Sequence, residues 1–134
     1  MKYLKTYESF EINTDWEFFK KHKEIPNVVN DVLSELYDLD IRTSTNALKY
    51  PNGLSVYQVM IGNPNWTNRF PFSDIKPAVV ELISQLKGHG FKFYRYEAHG
   101  FKNKGWNRSA SNIYNDHITK FPLNAFIIEF IEEV

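Results

Sequence analysis

The chain has 134 residues, and its sixteen basic side chains balance sixteen acidic ones, so the formal net charge is zero. This length fits a single domain, and 43% hydrophobic with 16% aromatic residues favours a packed core over a disordered chain. The balanced charge excludes a global field that would draw the protein to nucleic acid or to a membrane surface.

Cysteine is absent, which excludes disulfides and thiolate catalysis and fits a reducing compartment. No apolar run approaches the roughly 20 residues of a membrane span, and the N-terminus lacks the apolar core of a signal peptide. We therefore expect a soluble protein of the cytoplasm, which for a viral protein means the host cytoplasm, with the virion as a second location.

Two helices are predicted near the N-terminus. The spacing from Thr14 to Glu17 in TDWE is that of a capping box and predicts a short helix ending near Lys23. Pro26 suits the first position of the next helix, which should fade near Asp38. The apolar residues of that helix share one face: Val28, Val29, Val32, Leu33 and Leu36.

Two strands should follow these helices. Residues 41–47 are rich in β-branched side chains, and Ile41, Thr43, Thr45 and Ala47 alternate with more polar residues, which is typical of a strand. Asn52-Gly53 is a strong turn pair, and residues 54–61 form the return strand. Because the return strand is apolar on both faces, we expect it to be central in the sheet or to have a partner over its second face.

Residues 73–98 give the clearest pattern in the chain. Ser73 is a suitable N-cap, Asp74 suits the first turn, and Gly88 is a stop signal. The helix between them has an apolar stripe: Ile75, Val79, Leu82, Ile83 and Leu86. The period then changes to two, which predicts a strand with Phe91, Phe93 and Arg95 on one face and Lys92, Tyr94 and Tyr96 on the other.

Residues 123–131 are predicted to form a closing strand, in which Phe126, Ile128 and Phe130 lie on one face. Ile127, Glu129 and Ile131 lie on the other face. The order of elements is then helix, helix, strand, strand, helix, strand, strand. This order predicts one α+β domain over residues 1–134, with an antiparallel or mixed four-stranded sheet and helices packed mainly on one face. Residues 1–13 would be an N-terminal arm or a short helix.

Segments 62–72 and 99–122 are predicted to be loops, and they carry the candidate binding residues. Flat aromatic faces beside cations suit stacking and anchoring contacts. In a protein interface the anchors would be Trp66, Phe70, Phe72 and Trp106. Residues 92–108 are basic and aromatic, which also suits nucleic acid. The candidate binding residues are Trp66, Arg69, Phe70, Arg95, Lys102, Lys104, Trp106 and Arg108.

The opening segment KTYESFE, residues 5–11, resembles the N-terminal tags of internal head proteins of tailed phages, and similar openings begin many small phage proteins. The resemblance implies targeting into the assembling capsid and removal of the tag after a glutamate. In that family an aliphatic residue stands two positions before the glutamate, whereas Thr6 and Ser9 hold those positions before Glu8 and Glu11. The alternative is a first turn whose aromatic residues pack on the domain.

Catalytic patterns are weak in this chain. His117-Ile-Thr119 has the His-x-Thr spacing of two-histidine phosphodiesterases, but these enzymes need two copies, and His22, His89 and His99 do not supply the second. There is no Gly-x-Ser-x-Gly elbow and no Gly-rich phosphate loop. We therefore predict no catalytic residue, no metal site and no cofactor, although an enzyme of unrecognised type stays open.

The preferred hypothesis is a small phage-type accessory protein that acts without catalysis by binding another macromolecule, a host or viral protein. One alternative is a nucleic-acid-binding protein that uses residues 92–108. The other is a head-packaged internal protein. A homo-oligomer is compatible with each of the three.

Overall fold

The structure, a computed structural model, describes residues 13–63, 68–100, 106–109 and 122–133, with the backbone alone at residues 13 and 106–109. The predictions for residues 1–12 therefore lie outside the described residues. The elements in chain order are β1 (Asn13–Thr14), α1 (Trp16–Lys21), α2 (Glu24–Leu33), a 3₁₀ helix (Ser34–Leu39), β2 (Thr43–Lys49), β3 (Ser55–Gly62), α3 (Phe72–Gly88), β4 (Phe91–Gly100), β5 (Trp106–Ser109) and β6 (Leu123–Glu132).

The strands form one sheet in the order β1-β2-β3-β6-β4-β5, and every neighbouring pair is antiparallel. The predicted α+β class is confirmed, and the four predicted strands form the contiguous centre of the sheet as β2, β3, β6 and β4. Two short strands that sequence patterns did not predict extend this centre, β1 at one edge and β5 at the other. The central place predicted for the return strand is confirmed because β3 lies between β2 and β6.

The core lies between one face of the sheet and the helices. Tyr57, Val59 and Ile61 of β3 stand opposite Phe130, Ile128 and Phe126 of β6, so that these six side chains form one apolar surface. The apolar stripes of α2 and α3 pack against that surface, and the ring centroids of Phe72 and Phe126 lie 5.3 Å apart. The helices therefore pack on this face, as the sequence predicted.

Three predicted helix starts are wrong by one or two residues. Thr14 is not the cap of α1, because its backbone pairs with Leu48 in the sheet, and Asp15 caps the helix instead. Glu24 begins α2, which leaves Pro26 within its first turn, where proline is tolerated. Ser73 lies inside α3, whose N-cap is Pro71, since the buried ring of Phe72 belongs to the first turn and packs in the core.

The predicted alternation of β4 is wrong beyond Phe93. A β-bulge falls between Phe93 and Arg95, so that Phe93 stands opposite Phe130 and Arg95 stands opposite the next residue, Glu129. The extra residue, Tyr94, reverses the phase of the strand. Tyr96 consequently faces the helices and is buried, whereas Arg95 joins the second face of the sheet.

The second predicted loop, residues 99–122, is also corrected in part. Strand β4 extends through Gly100, and residues 106–109 form β5, which pairs with β4 so that Arg108 stands opposite Tyr96. The sequence WNRS lacks the alternation of apolar residues by which strands were predicted. No helix in the described part of the chain is long and apolar enough to cross a membrane.

Candidate functional site

Two large apolar side chains are exposed on the 3₁₀ helix. Leu36 is buried and anchors this helix to the core, whereas Tyr37 is 52% exposed and Leu39 is 51% exposed. Because a 3₁₀ helix has three residues per turn, Tyr37 is turned by about 120° from the side on which Leu36 is buried, and local geometry presents it to solvent. Leu39 repeats the direction of Leu36, but it is the last residue of the helix, next to Asp40, and it is exposed as well.

Backbone hydrogen bonds hold the end of the 3₁₀ helix in place. The Asp40 N–H donates to the Tyr37 carbonyl at 3.0 Å, and the Ile41 N–H donates to the Leu36 carbonyl at 3.1 Å. Asp40 has a φ of 63°, a left-handed conformation that aspartate adopts more readily than most residues. The Tyr37 hydroxyl lies 3.3 Å from Oγ1 of Thr43 at the start of β2.

Two surface depressions adjoin these exposed side chains and share Asp40. Their volumes are about 420 Å³ and about 300 Å³. The first is lined by Tyr37, Asp40, Arg42 and Thr43, and the second by Leu39, Asp40, Ile41, Asn68, Arg69, Phe70 and Asp74. We call the exposed surface formed by Tyr37, Leu39, Asp40 and Arg42 the Tyr37 patch.

A second cluster surrounds a buried carboxylate on the face of the sheet opposite the helices. Glu129 of β6 is only 2% exposed. Its Oε1 accepts a hydrogen bond from Nε of Arg95 at 3.0 Å, and its Oε2 accepts from the Tyr50 hydroxyl and from Nε2 of Gln58 at 2.9 Å. Arg95 also donates from Nη2 to the Tyr50 hydroxyl at 3.0 Å.

Burial and charge set the protonation of this cluster. Burial, together with the hydrogen bond to Glu129, raises the pKa of Tyr50 to about 12. For Arg95 burial opposes the charged form, but the bond with Tyr50 and the charge of Glu129 outweigh it and raise the pKa of Arg95. At neutral pH the cluster thus contains a neutral phenol and a cation, and each carboxylate oxygen already accepts a hydrogen bond. This arrangement supports a structural role better than acid–base chemistry.

A third polar group ties α1 to the sheet. Burial would raise the pKa of Asp15, but its hydrogen bonds with Ser55 and with the Phe18 N–H lower it below its ordinary value. At the other end of the helix, Nε2 of His22 lies 2.9 Å from Oε2 of Glu132. These bonds fasten both ends of a six-residue helix, and we assign them to stability.

The predicted binding residues fall into four environments. Trp66, Lys102 and Lys104 lie outside the described residues. Trp106 and Arg108 lie in β5, with the backbone alone described. Arg69 is exposed beside the Tyr37 patch.

The two remaining candidates, Phe70 and Arg95, make contacts that stabilise the fold. Phe70 is 5% exposed and forms an isolated bridge with Leu123, while its neighbour Phe72 is fully buried. Both rings belong to the core, and neither is available as an interface anchor. The guanidinium of Arg95 is held by Glu129 on the second face of the sheet. Of the three candidates whose side chains the structure describes, only Arg69 lies beside the patch as an exposed side chain.

The Tyr37 patch and the Glu129 cluster were not predicted, and only the Glu129 cluster had a signal in the sequence. Tyr37 follows Leu33 by four residues and Leu39 follows Leu36 by three, so a continuing α-helix would have placed both in the buried stripe. Glu129 is a single charge within the apolar run AFIIEFI, and such a charge needs a partner when the strand is central. The partner could not be predicted, because the bulge at Tyr94 decides the direction of Arg95.

The described residues contain no group of three or more histidine and acidic side chains that could hold a metal ion. Comparisons with known proteins found no matching family model, no matching curated protein and no matching solved structure.

Proposed function

We propose that this protein is a small accessory protein that acts by binding another protein, and that the Tyr37 patch is its contact surface. The observation that carries the proposal is the exposure of Tyr37 and Leu39 on one short helix whose end is held by backbone hydrogen bonds, beside two depressions that share Asp40. Presenting such side chains on a fixed backbone lowers the entropy lost on association.

The composition of the patch supports a protein partner. Tyrosine and arginine are enriched among the residues that dominate protein interfaces, and the patch contains Tyr37 with Arg42. Arg69 extends it through the second depression. The adjoining depressions could receive side chains of a partner, whose surface would exclude water from around Tyr37.

Nucleic acid is disfavoured as a partner for this surface because of its charge. Glu35, Asp38, Asp40 and Asp74 are exposed in or next to the patch. These four carboxylates outnumber the two cations there, Arg42 and Arg69, and would repel phosphates. On the 92–108 strip, Arg95 is committed to Glu129. On this strip a nucleic-acid partner would therefore depend on the exposed Lys92 and on Lys102, Lys104 and Arg108.

The N-terminal segment 5–11 supports a phage origin for this accessory protein, with a host or viral protein as the partner. Packaging in the phage head is an additional reading of the same segment. Intact-mass measurement of the protein recovered from mature particles tests that reading, since a packaged and processed chain would lack its first residues, whereas a chain that still begins at Met1 would argue against removal.

The test of the binding function is affinity capture from a host lysate, with and without nuclease. Immobilised wild-type protein is compared with a Tyr37→Ala/Leu39→Ala variant and with Val80→Ala, a matched control because Val80 is 41% exposed on α3 and lines neither depression. We expect a defined protein that survives nuclease, is retained by the Val80 variant and binds the patch variant at least tenfold more weakly.

Two results would contradict the proposal. Capture of the same protein by wild type and by the patch variant would place the contact elsewhere. Material that disappears with nuclease, and whose binding falls steeply with salt, would support the nucleic-acid alternative, because phosphate contacts release counterions.

A further inference from the structure

Strand β2 is paired along its whole length on only one of its two sides. On the inner side it pairs with β3 from Thr43 to Lys49. On the outer side β1 pairs with Leu48 and Lys49 alone. The outer edge from Thr43 to Asn46 therefore has no strand partner among the described residues.

Two hydrogen bonds show which backbone groups lie on this edge. On the inner side, the Gly62 N–H donates to the Arg42 carbonyl at 2.7 Å. On the outer side, the Asp15 N–H donates to the Ala47 carbonyl at 2.8 Å. Since successive residues of an antiparallel strand bond to opposite sides, the N–H and C=O groups of Thr43 and Thr45 point outward. In the part of the chain that the structure describes, no strand pairs with these four groups.

The edge lacks the features that usually prevent strand addition. Natural edges are protected by lysine, proline or a bulge, whereas the sequence of this stretch is TSTNA and its register with β3 is regular. Ser44 and Asn46 are exposed, and Thr43 and Thr45 are half-buried. None of these side chains is a lysine or a proline that would oppose a strand arriving from solvent.

Exposed aromatic residues stand at both ends of the open edge. At one end, Trp16 is 64% exposed and directly follows Asp15, which bonds to Ala47. At the other end, the Tyr37 hydroxyl contacts the side chain of Thr43. The distance along the strand from Thr43 to Ala47 is about 14 Å, which an extended segment of about five residues would span.

At the Tyr37 end of the edge three carboxylates outnumber one cation, Arg42. Glu35, Asp38 and Asp40 are all exposed, and none of them forms an ion pair with a described residue. An incoming segment with a basic residue at this end would therefore meet a complementary charge.

We propose that an extended segment of the partner protein adds to the outer edge of β2 as a further strand. Its backbone bonds to Thr43 and Thr45, alternate apolar side chains pack against Tyr37 and Trp16, and a basic residue lies near Asp40. Main-chain hydrogen bonds would supply affinity and the flanking aromatics specificity. This inference rests on the proposed function, because it assigns the chemistry of the partner that the Tyr37 patch contacts.

The decisive variant is Thr45→Pro, which removes one outward N–H and places a ring on the edge. Proline is tolerated on edge strands where the missing N–H faces solvent, so the β2–β3 ladder should survive. Thr45→Val is the matched control, because it changes the side chain and keeps the N–H. Cooperative thermal unfolding of both variants verifies the fold.

The probe is a displayed library of ten-residue peptides that alternate apolar and polar residues, compared with a library of the same composition in helical spacing. We expect enrichment from the alternating library, basic residues among the selected peptides, and at least tenfold weaker binding to the Thr45→Pro variant than to wild type or Thr45→Val. A selected peptide is also resynthesised with N-methyl groups on alternate amides. N-methyl groups on the amides that face β2 should abolish binding, whereas those on the amides that face away should not. This result does not depend on the stability of the Thr45→Pro variant.

The proposal is overturned if the alternating library gives no enrichment, if selected peptides bind Thr45→Pro as tightly as wild type, or if both N-methylated forms bind. It is also overturned if sedimentation shows a wild-type dimer that Thr45→Pro dissociates, since a second copy would then occupy the edge. A natural partner lost by the patch variant but kept by Thr45→Pro would refute strand addition while the protein-binding function stands. Failure to capture any patch-dependent protein would instead refute the proposed function.

Discussion

At the scale of single residues, the carboxylate of Glu129 is the most constrained group that the structure describes. Glu129 belongs to β6, which has a neighbouring strand on each side, β3 and β4. Removing a carboxylate from water costs several kcal/mol, and the cost is offset here by one ion pair and two further hydrogen bonds. Tyr50 adds its ring to this arrangement, 5.7 Å from the Arg95 guanidinium carbon.

Replacing Arg95 should therefore lower the free energy of unfolding more than neutralising Glu129. Arg95→Met leaves the buried charge of Glu129 without its cation, and we expect a loss of about 3 kcal/mol or more in the free energy of unfolding. Glu129→Gln removes the charge, and the partly exposed Arg95 can still reach water, so its loss should be smaller. Urea denaturation monitored by tryptophan fluorescence gives both values. Equal and small losses would show that Arg95 does not stabilise the carboxylate.

The raised pKa of Tyr50 predicts a loss of stability at alkaline pH. The folded protein keeps this phenol protonated to about pH 12, whereas an unfolded tyrosine ionises near pH 10. Above pH 10 the unfolded state thus binds fewer protons than the folded state, and stability falls as the pH rises toward 12.

The test of this alkaline effect is Tyr50→Phe, which removes the titrating group. The melting temperature of the variant should decrease less between pH 9.5 and 11.5 than that of the wild type. Tyr57, whose pKa burial also raises to about 12, remains in the variant, so part of the decrease should persist. Identical pH profiles for the two proteins would exclude a contribution from Tyr50.

At the scale of elements, the bulge in β4 decides which side chains meet. Without the extra residue, the alternation that begins at Phe91 would place Arg95 among the helices and Tyr96 on the second face. With it, the ring of Tyr96 stacks on Phe126 at 5.3 Å, and Arg95 reaches Glu129. One inserted residue therefore completes both the core and the polar cluster.

Gly62 ends β3 where the backbone of β6 approaches most closely. Its φ is 85°, and a Cβ built there would lie 2.4 Å from the Asn124 carbonyl oxygen. Gly62→Ala combines backbone strain with this clash, so we expect a loss of at least about 2 kcal/mol in the free energy of unfolding. Gly53→Ala is a matched control, because Gly53 has a similar φ of 90° with open space around it. Thermal unfolding that ranks the two variants equally would argue against the close approach.

At the scale of the whole molecule, the last strand of the chain lies in the middle of the sheet. β6 pairs with β3 on one side and with β4 on the other, so the sheet cannot close until the C-terminal segment is in place. At the outer edge of β2, by contrast, no strand in the described part of the chain pairs with Thr43 or Thr45. The same antiparallel order thus produces a strongly held centre and the open edge that we assign to binding.

The α+β class, the four long strands and the main helices followed from the sequence alone, because the period of apolar residues depends only on which side of each element meets the core. The candidate binding residues could be predicted less well from the sequence. Phe70 was predicted as an anchor from composition, but burial depends on neighbours that are distant in the chain.

Only the tertiary structure decided the features on which the proposed function rests. The bulge at Tyr94 selects Glu129 as the partner of Arg95, the start of α1 at Trp16 leaves Thr43 and Thr45 without a strand partner in the described part of the chain, and the 3₁₀ helix turns Tyr37 outward. Local propensity distinguishes such alternatives by about 1 kcal/mol or less. Burial of whole side chains and pairing of backbone groups outweigh it, and both depend on residues far apart in the sequence.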